Sequence, residues 1–213
     1  MSTNTPTREL PVQLRQATWD EYVKLRDDDE YRNIRMTFDR GSLELMSPTS
    51  FHERPKVFLT LCISAWAAES QLKILCWGST TFRREDLERG LEPDNCYYTQ
   101  NYATILNHEE IDLLVDPPPD LALEVDITSS SIDRMDIYAA MGVPEIWRWH
   151  DDTLQIYRLD STGVYSPVET SGALPGFPVE LAVQFVLRRP VVDEVTFINE
   201  FRTACRAMKQ SIE

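Results

Sequence analysis

Three acidic residues stand where their carboxylates could do chemistry. Glu124 lies within the apolar run Leu121–Val125, and Asp126 follows two residues later. Alternate residues of a strand project from the same face, so these two carboxylates should lie on one side of a sheet. Asp94 follows a proline at the start of another strand-like segment. An ionised carboxylate among apolar neighbours is unfavourable unless it is paired or bound to a metal.

Carboxylates gathered in this way suit a hard divalent cation such as Mg²⁺ or Mn²⁺. Such an ion keeps several waters and accepts one or two protein carboxylates. It can activate water and stabilise a phosphoryl transition state. The alternative is structural: Glu124 forms an ion pair with an arginine, and Asp94 caps a turn. The spacing of the acids leaves both interpretations open.

The elements that must position these acids alternate along the chain. Thr18 and Glu21 form a capping box that predicts a helix to about Asp28. An apolar stripe predicts a helix over residues 52–70, and helices are also expected over 132–141 and 193–209. The strand at 121–126 should be covered on both faces, and the strand–helix–strand order that follows predicts a parallel pair. Other strands are predicted over residues 34–38, 43–46, 72–77, 80–83, 96–99, 146–149, 154–159, 164–168 and 180–185.

These elements predict an α+β fold with a mixed central sheet flanked by helices, an N-terminal hairpin and a C-terminal helix. Residues 1–17 are expected to form a flexible tail and 18–190 the main domain. Residues 191–213 should form a helix that packs on the domain or on a partner subunit. That apolar helix and the strands at the sheet edges are the basis for expecting a homodimer.

Composition excludes several classes of protein. The 213 residues are 42% apolar and 10% aromatic, which is too rich for a disordered chain. The apolar runs fall far short of the roughly 18–20 residues that span a membrane, and the first residues do not resemble a signal peptide, so a cytoplasmic protein without membrane contact is expected. The four cysteines form no CxxC pair, which favours buried reduced thiols. The net charge of −14 argues against binding to nucleic acid by global electrostatics alone.

Several motifs resemble, in order, those of the Uma2 family of endonucleases, over about residues 18–160. They are Met46-Ser47-Pro48 with His52, Glu92-Pro93-Asp94, the run from Pro117 to Val125, Asp133 with Tyr138, and the run from Gly142 to Trp147. The resemblance implies the restriction-endonuclease-like PD-(D/E)xK fold. It also implies a divalent metal, Mg²⁺ or Mn²⁺, and hydrolysis of phosphodiester bonds in nucleic acid.

The resemblance assigns roles to individual residues. Asp94 matches the motif aspartate and Glu124 the second acid, both as metal ligands, with Asp126 assisting. The motif lysine is absent, because Asp126 stands at its position and Arg134 stands where related sequences place a lysine on the next helix. Arginine stays protonated, so Arg134 can clamp a phosphate or neutralise charge but cannot serve as a base. Lys56 is the other candidate to replace that lysine.

Other residues carry weaker assignments. His52 is a candidate base or water-holding group, since imidazole titrates near neutrality, or else a surface cap. Arginines are the best local candidates for phosphate contacts, or else belong to solvated turns; they are Arg83, Arg84, Arg89, Arg188 and Arg189. The missing lysine and the acidic charge also motivate an alternative function, a catalytically impaired protein of this fold acting as a dimeric binding or regulatory module.

Overall fold

The structure is a computed structural model that describes residues 11–47, 50–125 and 132–210, and only the backbone for residues 50–52. The strands in this part of the chain are β1 (Val12–Arg15), β2 (Arg35–Asp39), β3 (Ser42–Met46), β4 (Leu75–Cys76), β5 (Phe82–Arg84), β6 (Arg89–Leu91), β7 (Asn95–Tyr98), β8 (Leu121–Val125), β9 (Glu145–His150), β10 (Thr153–Leu159) and β11 (Tyr165–Val168). The α-helices are α1 (Trp19–Arg26), α2 (Ser50–Ser70), α3 (Tyr102–Ile105), α4 (Arg134–Met141), α5 (Val179–Leu187) and α6 (Glu194–Gln210).

The strands form two sheets. The first is antiparallel, in the order β1-β3-β2-β6-β5, and contains the predicted hairpin as β2 and β3. The second is mixed, in the order β11-β10-β9-β8-β7-β4. Its one parallel pair within the described residues is β8–β9, joined through α4, so the predicted strand–helix–strand unit is confirmed. The α+β class with a mixed sheet is confirmed as well.

Local sequence signals mark the ends of α1, which packs on the first sheet, and of α4, which packs on the second. The capping box at Thr18 is present, with Glu21 N–H donating to Thr18 Oγ1 at 3.2 Å, and it starts α1. Asp133 caps α4 by accepting from the backbone of Met135 and Asp136. Gly142 ends α4 with a φ of +76°, a conformation that favours glycine. The sequence thereby fixes where Arg134, the first residue of α4, lies relative to β8.

The core lies on both faces of the mixed sheet. One cluster joins α2, α5 and α6 to the side chains of Leu121, Leu123 and Val125 on β8. A second cluster places Ile137 and Tyr138 of α4 on the opposite face. Strand β8 is therefore covered on both sides, as its apolar sequence predicts. Trp147 and Trp149 of β9 are buried in the first cluster.

Several local predictions are wrong. Residues 180–185, expected as a strand, belong to α5, in which Ala182 and Val186 are buried one helical turn apart. Strand β1 arises within the segment expected as a tail, since Val12–Arg15 pairs with β3. Strand β6 occupies what resembled a charged turn. Cys76 is exposed, whereas the other three cysteines are buried, and all four are free thiols.

The C-terminal helix packs on its own chain. Phe197, Phe201 and Cys205 of α6 are buried against α2 and α5. At the end of α2, Glu69 pairs with Arg202 and Arg206. The apolar stripe of α6 is thus used within one chain, and the homodimer stays a prediction. Among the described helices, none combines the length and the apolar character needed to cross a lipid bilayer.

Candidate active site

Two strands bring Asp94 and Glu124 together. In the β7–β8 ladder Asn95 pairs with Leu123, so extending this antiparallel register by one residue sets Asp94 opposite Glu124. Opposite residues in such a pair share a face, with Cβ atoms about 4.5–5.5 Å apart. The backbone N–H of Val125 donates to Asp94 Oδ2 at 2.6 Å, which holds the aspartate against β8. The two predicted metal ligands therefore lie side by side.

Asp94 is buried, with 4% of its surface exposed. Its other oxygen, Oδ1, accepts a hydrogen bond from Arg35 Nη1 at the start of β2. The guanidinium of Arg35 also lies 3.9 Å from Glu53 Oε1 on α2. Arg35 thus neutralises Asp94 and connects the first sheet to the mixed sheet at this point.

Glu124 is held by two residues of α4 that lie one helical turn apart. Arg134 Nη2 donates to Glu124 Oε1 at 2.6 Å, and the hydroxyl of Tyr138 donates to the same oxygen. Within the described residues, Oε2 receives no hydrogen bond. Burial raises the pKa of Glu124 above its ordinary value, and the nearby charge of Arg134 opposes this only in part. Burial, together with Glu124, also raises the pKa of Tyr138, so its hydroxyl stays protonated and donates.

Arg134 is fixed by three acceptors. Besides Glu124, it donates to Thr37 Oγ1 at 2.6 Å and to the backbone carbonyl of Glu92 at 2.7 Å. Its Nε is buried and has no hydrogen-bond partner among the described residues. Burial alone would lower the pKa of Arg134, but the charge and hydrogen bond of Glu124, together with Tyr138 and Asp94, outweigh that effect and the pKa is raised. Arg134 therefore stays charged beside both acids.

The remaining predicted site residues are not seen to contact Asp94, Glu124 or Arg134 within the described part of the chain. Asp126 lies outside the described residues. His52 is in α2, but its side chain is likewise outside the described part. Lys56 Nζ pairs with Glu53 Oε2 at 2.9 Å. None of its contacts among the described residues reaches Asp94 or Glu124, so it is linked to Asp94 only through Glu53 and Arg35.

Two members of the site had no assigned role from the sequence. Tyr138 is four residues after Arg134, a spacing that places both on one helical face, so its contact with Glu124 could have been inferred. Arg35 gives no such signal, because its partner Asp94 lies 59 residues further along the chain. Only the packing of the two sheets brings them together.

An open cleft of about 430 Å³ lies next to the acid pair, although its described lining includes neither Asp94 nor Glu124. Among the described residues its cationic side chains outnumber its acids, Glu53 and Glu92, by four to two. The cations are Arg26, Arg32, Arg35 and Lys56. Two residues that line the cleft also contact the site. Arg35 donates to Asp94, and the carbonyl of Glu92 accepts from Arg134.

Four of the five arginines predicted to contact phosphates are paired with acids instead, and the fifth, Arg189, donates to the backbone carbonyls of Leu187 and Arg188. Arg83, Arg84 and Arg188 each form an ion pair with a nearby carboxylate. Arg89 is buried, with 7% of its surface exposed, and bonds Asp39 and Asp136. These contacts favour the interpretation of a solvated or structural turn.

The donor set fits a hard divalent cation. The described residues contain no group of three or more His, Cys, Asp or Glu side chains that could hold a metal. Two carboxylates are nevertheless the number that Mg²⁺ commonly takes from a protein, with water and phosphate oxygens completing its shell. Asp94 and Glu124 supply that pair, although each is at present neutralised by an arginine.

The sequence and the structure are similar to those of known proteins. The family model described as Uma2, putative restriction endonuclease, matches residues 19–191. The crystal structure of a putative nuclease belonging to DUF820 from Anabaena variabilis is similar at 15% sequence identity and a TM-score of 0.48. The similarity covers 87% of this chain and 99% of that one. No curated protein matches the sequence. Because the family model spans well over half of its residues, the chain belongs to the Uma2 family.

Proposed function

We propose that this protein is a metal-dependent endonuclease that hydrolyses phosphodiester bonds of nucleic acid. The observation that carries the proposal is the placement of Asp94 opposite Glu124 on adjacent strands, beside a cleft rich in cations. Family membership supports the same reaction class. Asp126 and His52 remain proposed participants, as an assisting acid and as a base or water-holding group.

Each side chain of the acid pair has a role in this proposal. Asp94 and Glu124 would hold the Mg²⁺ or Mn²⁺ ion, which supplies a water of lowered pKa and neutralises charge on the phosphate. Tyr138 orients Glu124 through its hydrogen bond to Oε1. Arg35 fixes Asp94 from the other side. Arg134 stays protonated, so it stabilises the negative phosphate and does not accept the proton from water.

Cleavage of end-labelled DNA and RNA in Mg²⁺ or Mn²⁺, against EDTA, tests the proposal. Asp94→Asn and Glu124→Gln should each lower the rate by about a hundredfold or more, since each removes charge from the reacting centre. Glu180→Gln is the matched control, because Glu180 is an exposed glutamate outside the cleft and should not alter the rate. The proposal is wrong if the wild type shows no metal-dependent cleavage, or if both variants cleave as it does.

One observation favours the alternative of a catalytically impaired, dimeric module. Both acids are neutralised by arginines, and no lysine contacts either of them within the described residues. Arg134→Lys separates the two functions, because it restores an ammonium group next to Glu124. An enzyme should cleave as the wild type and retain that cleavage in this variant, whereas a module is inactive as the wild type. Light scattering on the purified chain tests the predicted dimer.

A further inference from the structure

We propose that the cleft beside the acid pair binds the backbone phosphates of a single nucleic-acid strand, with Arg32 and Lys56 as the contacting cations. This inference rests on the proposed function and adds the part of the substrate that the cleft recognises. It assigns roles to residues that lie outside the acid pair. It also accounts for how a chain of net charge −14 can bind a polyanion.

The charge of the cleft is opposite in sign to that of the whole protein. Its described lining has four cations against two acids, whereas the full chain has 35 acids against 21 basic residues. A local concentration of positive charge draws a polyanion to one place on an otherwise repulsive surface. Binding at such a site is short-ranged and sensitive to salt.

Two of the four cations are already occupied. Arg26 Nη1 donates to the carbonyl of Ile34 and to Glu92 Oε1, both at 2.7 Å, and its side chain is 11% exposed. Arg35 is bound to Asp94 and is 12% exposed. These two arginines contribute positive electrostatic potential to the cleft, but their side chains are not free to turn toward a ligand.

The other two cations are available to a ligand. Arg32 is exposed, and its side chain forms no ion pair with the described residues. Lys56 pairs with Glu53, whose side chain is 43% exposed. The side chain of Lys56 is 21% exposed, and an ion pair that remains partly open to water contributes little to stability, so a phosphate can replace the carboxylate. Arg32 and Lys56 are therefore the residues that a phosphate can reach.

The lining indicates that the cleft recognises the backbone and not the bases. Its remaining described residues carry hydroxyl or amide groups, which suit phosphate and sugar oxygens; they are Asn33, Ser47, Ser79 and Thr81. No aromatic side chain stands among the described lining residues, so the cleft offers no platform on which bases could stack. Its volume of about 430 Å³ is that of a small-ligand site, which encloses part of one strand and not a duplex.

Fluorescence anisotropy of a labelled single-stranded oligonucleotide in EDTA tests this proposal without cleavage. Arg32→Gln and Lys56→Gln should each reduce the slope of log affinity against log salt by about 0.7, which corresponds to about fivefold weaker binding at about 0.1 M salt. The loss should be equal for a thymine homopolymer and a mixed sequence. Arg54→Gln is the matched control, since Arg54 is an exposed cation on the same helix as Lys56 but outside the cleft.

Three results would overturn the inference. The first is that neither cleft variant weakens binding more than Arg54→Gln does. The second is a loss that depends on base sequence, which would mean base recognition. The third is displacement of the oligonucleotide by inorganic phosphate at an equal phosphate concentration, which would mean a site for free anions. Weakened binding in a protein that never cleaves would refute the proposed nuclease function and leave the strand-binding cleft supported.

Discussion

Glu124 on β8 and Glu145 on β9 lie on neighbouring strands of the mixed sheet, but different kinds of group donate hydrogen bonds to their carboxylates. Glu145 is 2% exposed and accepts from Trp147 Nε1 and Gly172 N, both at 2.7 Å, and from Ser171 Oγ. The side chain of Glu124 is 15% exposed, and its two donors are side chains of α4.

The difference separates a structural acid from a candidate ligand. The donors to Glu145 include two backbone N–H groups of one loop, which cannot leave without unfolding it. Asp120 has the same character, since its Oδ2 accepts from three consecutive backbone N–H groups at 2.7–3.0 Å. The donors to Glu124 are side chains, of which the Arg134 guanidinium is itself a cation that a metal ion can replace. The kind of group that donates to a buried carboxylate therefore distinguishes a structural acid from a candidate metal ligand better than burial does.

The largest effect on stability is expected for Glu145→Gln. The new amide group would face the N–H of Gly172, and buried donors would lose their acceptor, at a cost of about 2–4 kcal/mol in the free energy of unfolding. Chemical denaturation measures this change. A loss below about 1 kcal/mol would show that the two glutamates do not differ in the way described here.

Tyr138→Phe should lower the free energy of unfolding by less, because it removes a single hydrogen bond, the one to Glu124. The variant keeps the packing of α4 and removes one hydrogen bond, which costs about 1 kcal/mol of stability. If the hydroxyl orients Glu124, metal affinity should fall by about tenfold, as for other partners of metal ligands. Titration with Mn²⁺ and denaturation of the same sample give both values. An unchanged Mn²⁺ affinity would show that Tyr138 does not position the acid.

A third glutamate, Glu69, should make stability depend on pH. Hydrogen bonds from Arg206, and one from Arg202, lower its pKa from 4.5 to about 2 against the opposing effect of burial. Because the folded state has the lower pKa, this stabilisation is complete above about pH 4.5 and is lost as pH falls toward 2. The Tm difference between wild type and Glu69→Gln should therefore shrink from pH 6 to pH 3. A constant difference would contradict the lowered pKa.

The smallest effect on stability is expected for Glu124→Gln. The amide oxygen can still accept from Arg134 and Tyr138, and the nearby charge of Asp94 remains to compensate the guanidinium of Arg134. Burial also raises the pKa of Glu124, so little favourable charge interaction is lost with its carboxylate. The free energy of unfolding should change by less than about 1 kcal/mol. A site acid that is removed at little cost to folding fits a residue kept for function. A loss as large as that of Glu145→Gln would assign Glu124 to the structure instead.

Much of the site follows from local sequence patterns, and the rest depends on packing. Strand periodicity and the order of motifs place Asp94, Glu124 and Arg134 together, and the cap at Asp133 fixes the start of α4. Arg35 could not be inferred, because its contact with Asp94 joins two sheets and no spacing rule relates them.

The local errors have physical causes as well. The segment Val179–Leu187 is apolar nearly throughout, so its periodicity does not distinguish a strand from a buried helix. Arg89 and Gly90 lie in β6 and not in a solvated turn, and position 90 is a glycine because a Cβ there would stand 2.3 Å from the hydroxyl oxygen of Tyr22. The formal charge of −14 gave no indication of a cationic cleft, since a sum over the chain does not show where the charges lie.

Calorimetric titration with Mn²⁺ is the most direct test of the central claim, that Asp94 and Glu124 form a cation site. The wild type and the control Glu180→Gln should bind one ion with millimolar or tighter affinity. Glu124→Gln should abolish the binding while it stays folded. No binding by the wild type, or equal binding by Glu124→Gln, would contradict the account and leave the two acids as structural ion pairs.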